Sequence, residues 1–122
     1  MKALVLSELA IHEALVAHLR AAAAPGVIWF HVPNGEKRDA GTARKLKRLG
    51  VLPGVADMIY LLPGGRVVFH ELKTEGRALE PQQRAFRDAV TALGCEFHVT
   101  HGLDDALFVA RSVGALRSGG GR

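Results

Sequence analysis

Two strand-like segments that flank a Pro-Gly-Gly turn constrain this chain more than any other feature of its sequence. The segments DMIYLL (57–62) and RVVFHELK (66–73) are rich in β-branched and aromatic residues. The three residues between them, 63–65, are typical of a tight turn. The pattern predicts an antiparallel hairpin in which Leu62 lies opposite Arg66.

This register brings two carboxylates together. Asp57 lies opposite Glu71, and such cross-strand neighbours have Cβ atoms about 4.5–5.5 Å apart. Because side chains alternate along a strand, Glu71 and Lys73 project from the same face. Two carboxylates this close repel each other unless a cation lies between them, and Mg²⁺ binds carboxylates, a backbone carbonyl and water. The pattern predicts a metal site with Lys73 beside it, placed to orient or deprotonate a water or to stabilise charge on a phosphate.

Two alternatives stay open on spacing alone. Asp57 or Glu71 could form an ion pair with Lys73 at a sheet edge, since the Glu-x-Lys spacing is common by chance. A one-residue change of register would also turn Asp57 to the other face of the sheet.

The rest of the chain alternates predicted helices and strands. Ser7 is a suitable N-cap for the first helix. Apolar periodicity and the positions of proline and glycine predict helices over 8–24, 81–93 and 103–116, a short helix over 42–49, and strands over 27–32 and 95–100. The predicted fold is α/β, a single domain (1–116) with a small mixed sheet flanked by helices, followed by a disordered tail (117–122).

Composition bounds the class of protein. The chain has 122 residues, of which 48% are hydrophobic and 23% charged, as is typical of one soluble globular domain. Its single cysteine, Cys95, excludes an intramolecular disulfide and a cysteine-rich metal site, which suits a reducing cytoplasm. No apolar run reaches the roughly 20 residues that a membrane-spanning helix needs. We therefore expect a cytoplasmic protein that does not associate with membranes.

Positive charge is concentrated in one segment. Six basic and two acidic residues lie between Asn34 and Gly50, so this segment carries the whole formal net charge of +4. Such segregation indicates a phosphate-backbone partner, although a solvated surface segment gives the same pattern. Asn34 fits either a phosphate contact or a plain turn. The candidate DNA contacts are Asn34, Lys37, Arg38, Arg44, Lys45, Lys47 and Arg48.

Five sequence blocks resemble, in order and spacing, the VRR-NUC (virus-type replication-repair nuclease) family of the PD-(D/E)xK nucleases, especially its small stand-alone members. The blocks are SELAIHEALVAHLR, HVPNG, KLKRLGVLPGVAD, HELK and LEPQQRAF…LG, which together span roughly residues 7–110. The resemblance implies a restriction-endonuclease-like αβββαβ core. It also implies that Asp57 and Glu71 bind the metal with the backbone carbonyl of Leu72, and that Lys73 is the catalytic lysine.

Further matches and departures concern the surroundings of that site. Gln83 matches a glutamine that supports the active site, and Glu8 matches an acidic residue of the first helix, with Glu13 as the other candidate. Ala56 stands where the family usually has proline, and His12 stands where it often has glutamine. Both departures leave the implied ligands intact.

The resemblance implies a Mg²⁺- or Mn²⁺-dependent endodeoxyribonuclease of a bacterial or phage-infected cell. The basic segment lacks a base-reading motif, so we expect recognition of branched DNA, and a homodimeric Holliday-junction resolvase would match a two-fold junction. The alternatives are a DNA-binding module with a vestigial site and a nuclease for flaps or linear DNA. His31 and His70, which flank the site at strand ends, are expected to be structural.

Overall fold

The computed structural model describes residues 5–33 and 39–118 of the chain. Within these ranges the elements alternate much as the sequence predicts. The helices are α1 (Glu8–Ala22), α2 (Ala40–Arg48), α3 (Pro81–Ala92) and α4 (Leu103–Ser112), and the strands are β1 (Ile28–His31), β2 (Met58–Leu62), β3 (Arg66–Lys73) and β4 (Glu96–His101). None of these described helices is long and apolar enough to cross a membrane.

The four strands form one mixed sheet in the order β1-β2-β3-β4. β2 pairs antiparallel with both β1 and β3, and β4 pairs parallel with β3. The turn Pro63–Gly65 joins β2 to β3, and Leu62 pairs with Arg66. The predicted α/β class and the predicted hairpin register are therefore confirmed.

Alternation along the strands separates two apolar cores on opposite faces of the sheet. The larger core packs β2 and β3 against α1 and α4, and its strand residues are Met58, Tyr60, Leu62, Val68 and Leu72. On the other face, Phe86 of α3 contacts Phe69 and Phe97 edge-to-face, with ring centroids 5.0 and 6.5 Å apart. The face of β3 that carries Phe69 also carries Glu71 and Lys73, so the candidate site lies on the α3 side of the sheet.

A hydrogen-bonded chain of three buried side chains links β2, β3 and β4. His70 Nδ1 lies 2.7 Å from the Tyr60 hydroxyl, and His70 Nε2 lies 2.8 Å from Thr100 Oγ1. Burial, followed by the charge of His98, lowers the pKa of His70 to about 4. The imidazole is therefore neutral near pH 7, and both of its ring nitrogens are satisfied within the core.

α2 begins two residues earlier than predicted. The Asp39 carboxylate accepts the backbone N–H of Thr42 at 2.7 Å, and this N-cap starts the helix at Ala40. No residue of α2 is buried. The helix therefore contributes its side chains to the protein surface rather than to either core.

α4 ends earlier than predicted. Its last residue is Ser112, and Gly114 then takes a φ of +96°, a left-handed conformation that ends the helix. The chain turns so that Leu116 forms an antiparallel bridge with Ala23. Arg117, the first residue of the predicted tail, donates its N–H to the end of α1 at 2.9 Å. The end of the tail lies outside the described residues.

Candidate active site

The hairpin places Asp57 and Glu71 next to each other. Met58 pairs with His70, so Asp57 and Glu71 are the next opposed residues beyond the ladder. Asp57 Oδ2 accepts the backbone N–H of Leu72 at 2.9 Å. This bond ties the Asp57 carboxylate to β3 and fixes it beside Glu71.

Glu71 is a buried acid whose charged form is disfavoured. Its exposed fraction is 2%. Burial and then the neighbouring Asp57 carboxylate raise the pKa of Glu71 far above its usual range, with Glu8 adding to the rise and Lys73 opposing it. A cation bound between Asp57 and Glu71 would stabilise the charged form of both carboxylates.

Gln83, which lies on α3, holds the Glu71 carboxyl group in place. Its Nε2 donates to Glu71 Oε2 at 3.0 Å, and its Oε1 accepts the backbone N–H of Glu80 at 2.7 Å. Glu80 caps α3 in a capping box with Gln83, and Pro81 begins the helix. The same side chain thus caps the helix and contacts the carboxylate, which fixes its amide orientation.

Lys73 ends β3 on the face that carries Glu71. Its exposed fraction is 4%, and its backbone oxygen accepts the N–H of Gly102 at 2.9 Å. The ion pairs among the described residues join Arg66 to Glu96 and Arg87 to Asp88. Among the described residues, Lys73 therefore forms no ion pair with Asp57 or Glu71, in contrast to the alternative left open by the sequence.

The two acids of α1 lie in different surroundings. Glu8 follows the N-cap Ser7 and is close enough to raise the pKa of Glu71. Glu13 is exposed and acts on His12 instead. Of the two acids, Glu8 is therefore the one close enough to affect the charge of Glu71.

Two histidines lie close to Asp57. One ligand atom from each of His12, His31 and Asp57 lies within 4.8 Å of the others. Burial and His31 lower the pKa of His12. Neither histidine is expected to be a ligand from the sequence alone, where the only signals are that His12 lies one turn after Glu8 and that His31 ends a strand.

Solved structures share this architecture. One titled "VRR_NUC domain protein" superposes with a TM-score of 0.71 and 21% identity, over 92% of this chain and 89% of that chain. This chain has the VRR-NUC domain fold. A second, titled "VRR_NUC domain", gives a TM-score of 0.59 and 16% identity, over 87% of this chain and 97% of that chain. No family model and no curated protein matches the sequence.

The residues of this VRR-NUC fold suit a hard divalent cation. Asp57 and Glu71 supply carboxylate oxygens at one place, and each is held by a hydrogen bond from the protein. Oxygen donors of this kind are the ligands that Mg²⁺ and Mn²⁺ prefer. Lys73, on the same face of β3, adds one ammonium group to the two carboxylates.

The VRR-NUC fold presents part of the basic segment as an exposed helix. Arg44, Lys45, Lys47 and Arg48 all lie on α2 and are all exposed. The other predicted DNA contacts, Asn34, Lys37 and Arg38, lie outside the described residues. The four described cations thus form one surface, which we call the α2 cation surface.

Proposed function

We propose that this chain is a divalent-metal-dependent endonuclease that hydrolyses phosphodiester bonds in DNA. The observation that carries the proposal is the meeting of two adjacent carboxylates, Asp57 and Glu71, with the buried Lys73 on one sheet face. A purely structural role does not account for a buried acid, Glu71, that lies beside a second carboxylate while neither forms an ion pair among the described residues.

The metal would be held by Asp57, Glu71 and the backbone carbonyl of Leu72. When bound, it would supply positive charge to the scissile phosphate and lower the pKa of the attacking water. Gln83 and the Leu72 N–H keep the two carboxylates in place, so little reorganisation is needed when the ion binds.

Lys73 would act on the reacting groups directly. Its ammonium carries three N–H donors and no acceptor, so it can hydrogen-bond a non-bridging phosphate oxygen or the attacking water. Burial fixes its stem on the face of Glu71. Glu8, from α1, would complete the acidic rim of the site.

DNA would bind through the basic segment, including the α2 cation surface. These residues would contact the phosphates of DNA rather than its bases, which favours recognition of DNA structure over sequence. We propose a homodimer that cuts a Holliday junction in paired strands, because a two-fold dimer matches the symmetry of the junction.

The test is cleavage of a labelled four-way junction beside a matched linear duplex, in Mg²⁺ or Mn²⁺ and in EDTA. The key variant is Lys73→Met, which keeps an unbranched stem at a buried position. We expect paired, metal-dependent nicks in the wild type and a loss of about 10²–10⁴-fold in rate in the variant. Junction affinity, measured by fluorescence anisotropy, should change less than about twofold.

The other outcomes separate the alternatives. Equal cutting of junction and duplex would retain the nuclease and reject the resolvase. Cutting of neither of these, but of a labelled flap used as a third substrate, would assign a flap nuclease. Tight binding without cleavage in either metal would reject the enzyme and favour a DNA-binding module.

A further inference from the structure

The three side chains near Asp57 include two nitrogen donors that the carboxylate site does not use. His12 comes from α1, His31 from the end of β1, and Asp57 from the residue before β2. Their ligand atoms lie mutually within 4.8 Å, a spacing that a metal ion can close with small side-chain rotations. Three separate elements thus converge on one point.

The hydrogen bond of His31 leaves one ring nitrogen ready to bind a metal. His31 Nδ1 lies 2.6 Å from the backbone oxygen of Asp57. A carbonyl oxygen can only accept, so Nδ1 carries the proton and Nε2 keeps its lone pair. Metal-binding histidines in proteins are commonly oriented by such a bond from the other ring nitrogen.

The two imidazole rings lie close enough together to bind one ion. Their centroids are 4.5 Å apart and their planes are at 85°. An imidazole bound at about 2.1 Å through nitrogen has its centroid about 3.2 Å from the ion, so two ligands of a tetrahedral Zn²⁺ have centroids about 5.2 Å apart. The observed 4.5 Å is close to this value, and a small movement of the rings brings both to one ion. The site opens on a pocket of about 450 Å³ that both rings line, which gives an ion and its waters a route of entry.

We propose that His12, His31 and Asp57 form a second metal site, for a borderline transition-metal ion such as Zn²⁺. It lies beside the proposed Asp57–Glu71 site for Mg²⁺, and Asp57 belongs to both sites. Imidazole nitrogen favours Zn²⁺, Co²⁺ and Ni²⁺, whereas Mg²⁺ favours an all-oxygen set. The site does not depend on the proposed nuclease activity, because metal binding can be measured without DNA.

The probe is Co²⁺, followed by its visible absorption during titration of EDTA-treated, dialysed protein, with Zn²⁺ competition by calorimetry. The variants are His12→Gln and His31→Gln. The matched control is His18→Gln, because His18 is exposed on the same helix and its one hydrogen bond within the described part of the chain is to Ala14 O, at 2.8 Å. Far-UV circular dichroism checks that each variant is folded.

We expect the wild type and His18→Gln to bind Co²⁺ at this site with equal affinity, even in millimolar Mg²⁺. His12→Gln and His31→Gln should each bind at least tenfold more weakly. Unchanged Co²⁺ affinity in folded His12→Gln and His31→Gln, or no binding by the wild type, would overturn the proposal.

This result and the nuclease test fail separately. If the protein cuts DNA in Mg²⁺ but its Co²⁺ affinity is unchanged in both histidine variants, the nuclease proposal stands and this site is rejected. A chain that binds Co²⁺ through both histidines but never cuts DNA would support this site and reject the nuclease.

Discussion

Gly54 lies where the loop before β2 passes over the first turn of α3. Its φ is +83°, and a Cβ built on it would lie 2.3 Å from the backbone oxygen of Gln82. A backbone atom cannot move aside as a flexible side chain does. The absence of a side chain at Gly54 therefore lets α3 approach closely enough for Gln83 to reach Glu71.

We predict that Gly54→Ala destabilises the fold more than any other glycine-to-alanine change at a comparable φ. The matched control is Gly50→Ala, because Gly50 has a φ of +89° but no atom of the described residues, apart from its chain neighbours, within 4 Å of the place that an added methyl group would occupy. The control should cost about 1–2 kcal/mol for the left-handed conformation alone. Gly54→Ala should cost about 2–4 kcal/mol, since the contact with α3 adds an overpacking penalty.

Urea denaturation followed by circular dichroism measures both free energies of unfolding. Equal losses in the two variants would mean that the close approach of Gly54 to α3 contributes nothing. The cost at Gly54 would then be conformational only.

No residue of α2 is buried, so its exposed side chains are available to contact a partner. We predict that Lys45→Ala with Arg48→Ala weakens DNA binding and lowers its salt dependence. If both cations contact phosphates, the slope of log K against log salt should fall by about 2. Anisotropy titrations between about 50 and 200 mM salt give this slope.

The control for the α2 variant removes the same charge elsewhere. Arg111→Ala with Arg117→Ala takes two exposed cations from the end of α4 and the segment after it. Its salt slope should stay at the wild-type value. Equal slopes in the two double variants would show that only net charge matters and that α2 is not a specific contact surface.

The boundaries of the elements show what local sequence signals can predict. β3 and the start of α3 match their predicted residues, because alternation, the glycine turn and Pro81 act within a few residues. The end of α4 does not match, since Leu116 leaves the helical pattern to bridge Ala23 on a distant part of the chain. The apolar periodicity of a segment carries no information about a long-range contact that competes with the helix.

The stability of the whole fold is linked to the neutral state of His70, which lies between β2 and β4. Its pKa in the fold is about 4, below the 6.5 of an unperturbed histidine. Below pH 6.5 the unfolded chain takes up a proton that the native state does not, so stability falls as the pH drops from about 6.5 to about 4. A pKa lowered by about 2.5 corresponds to a loss of about 3 kcal/mol in unfolding free energy.

We predict that this loss disappears in His70→Gln, whose amide can still bond both hydroxyls. Glu71 acts in the opposite sense, because its raised pKa lets the native state take up a proton first as the pH falls. The difference in unfolding free energy between wild type and His70→Gln isolates His70. Urea denaturation in EDTA at pH 7.5, 6, 5 and 4.5 measures it, with His18→Gln as the control that should follow the wild type.

A wild-type pH profile that runs parallel to that of His70→Gln would contradict the prediction. It would mean that the native core admits the imidazolium without penalty. The hydrogen bonds to Tyr60 and Thr100 would then adapt to either protonation state.

The sequence by itself determined the hairpin, its register and the segregation of charge. These follow from a two-residue side-chain period, a three-residue turn and the order of residues along the chain. They were sufficient to place Asp57 opposite Glu71, with Lys73 on the same face as Glu71.

Only the tertiary structure decided what surrounds that pair. Gln83 meets Glu71 across the contact between α3 and the sheet, and Gly54 allows that contact. His12 and His31 meet at Asp57 because α1 and β1 dock beside β2. The physical reason is that these contacts arise from the packing of separate elements, whose relative positions no local pattern in the sequence encodes.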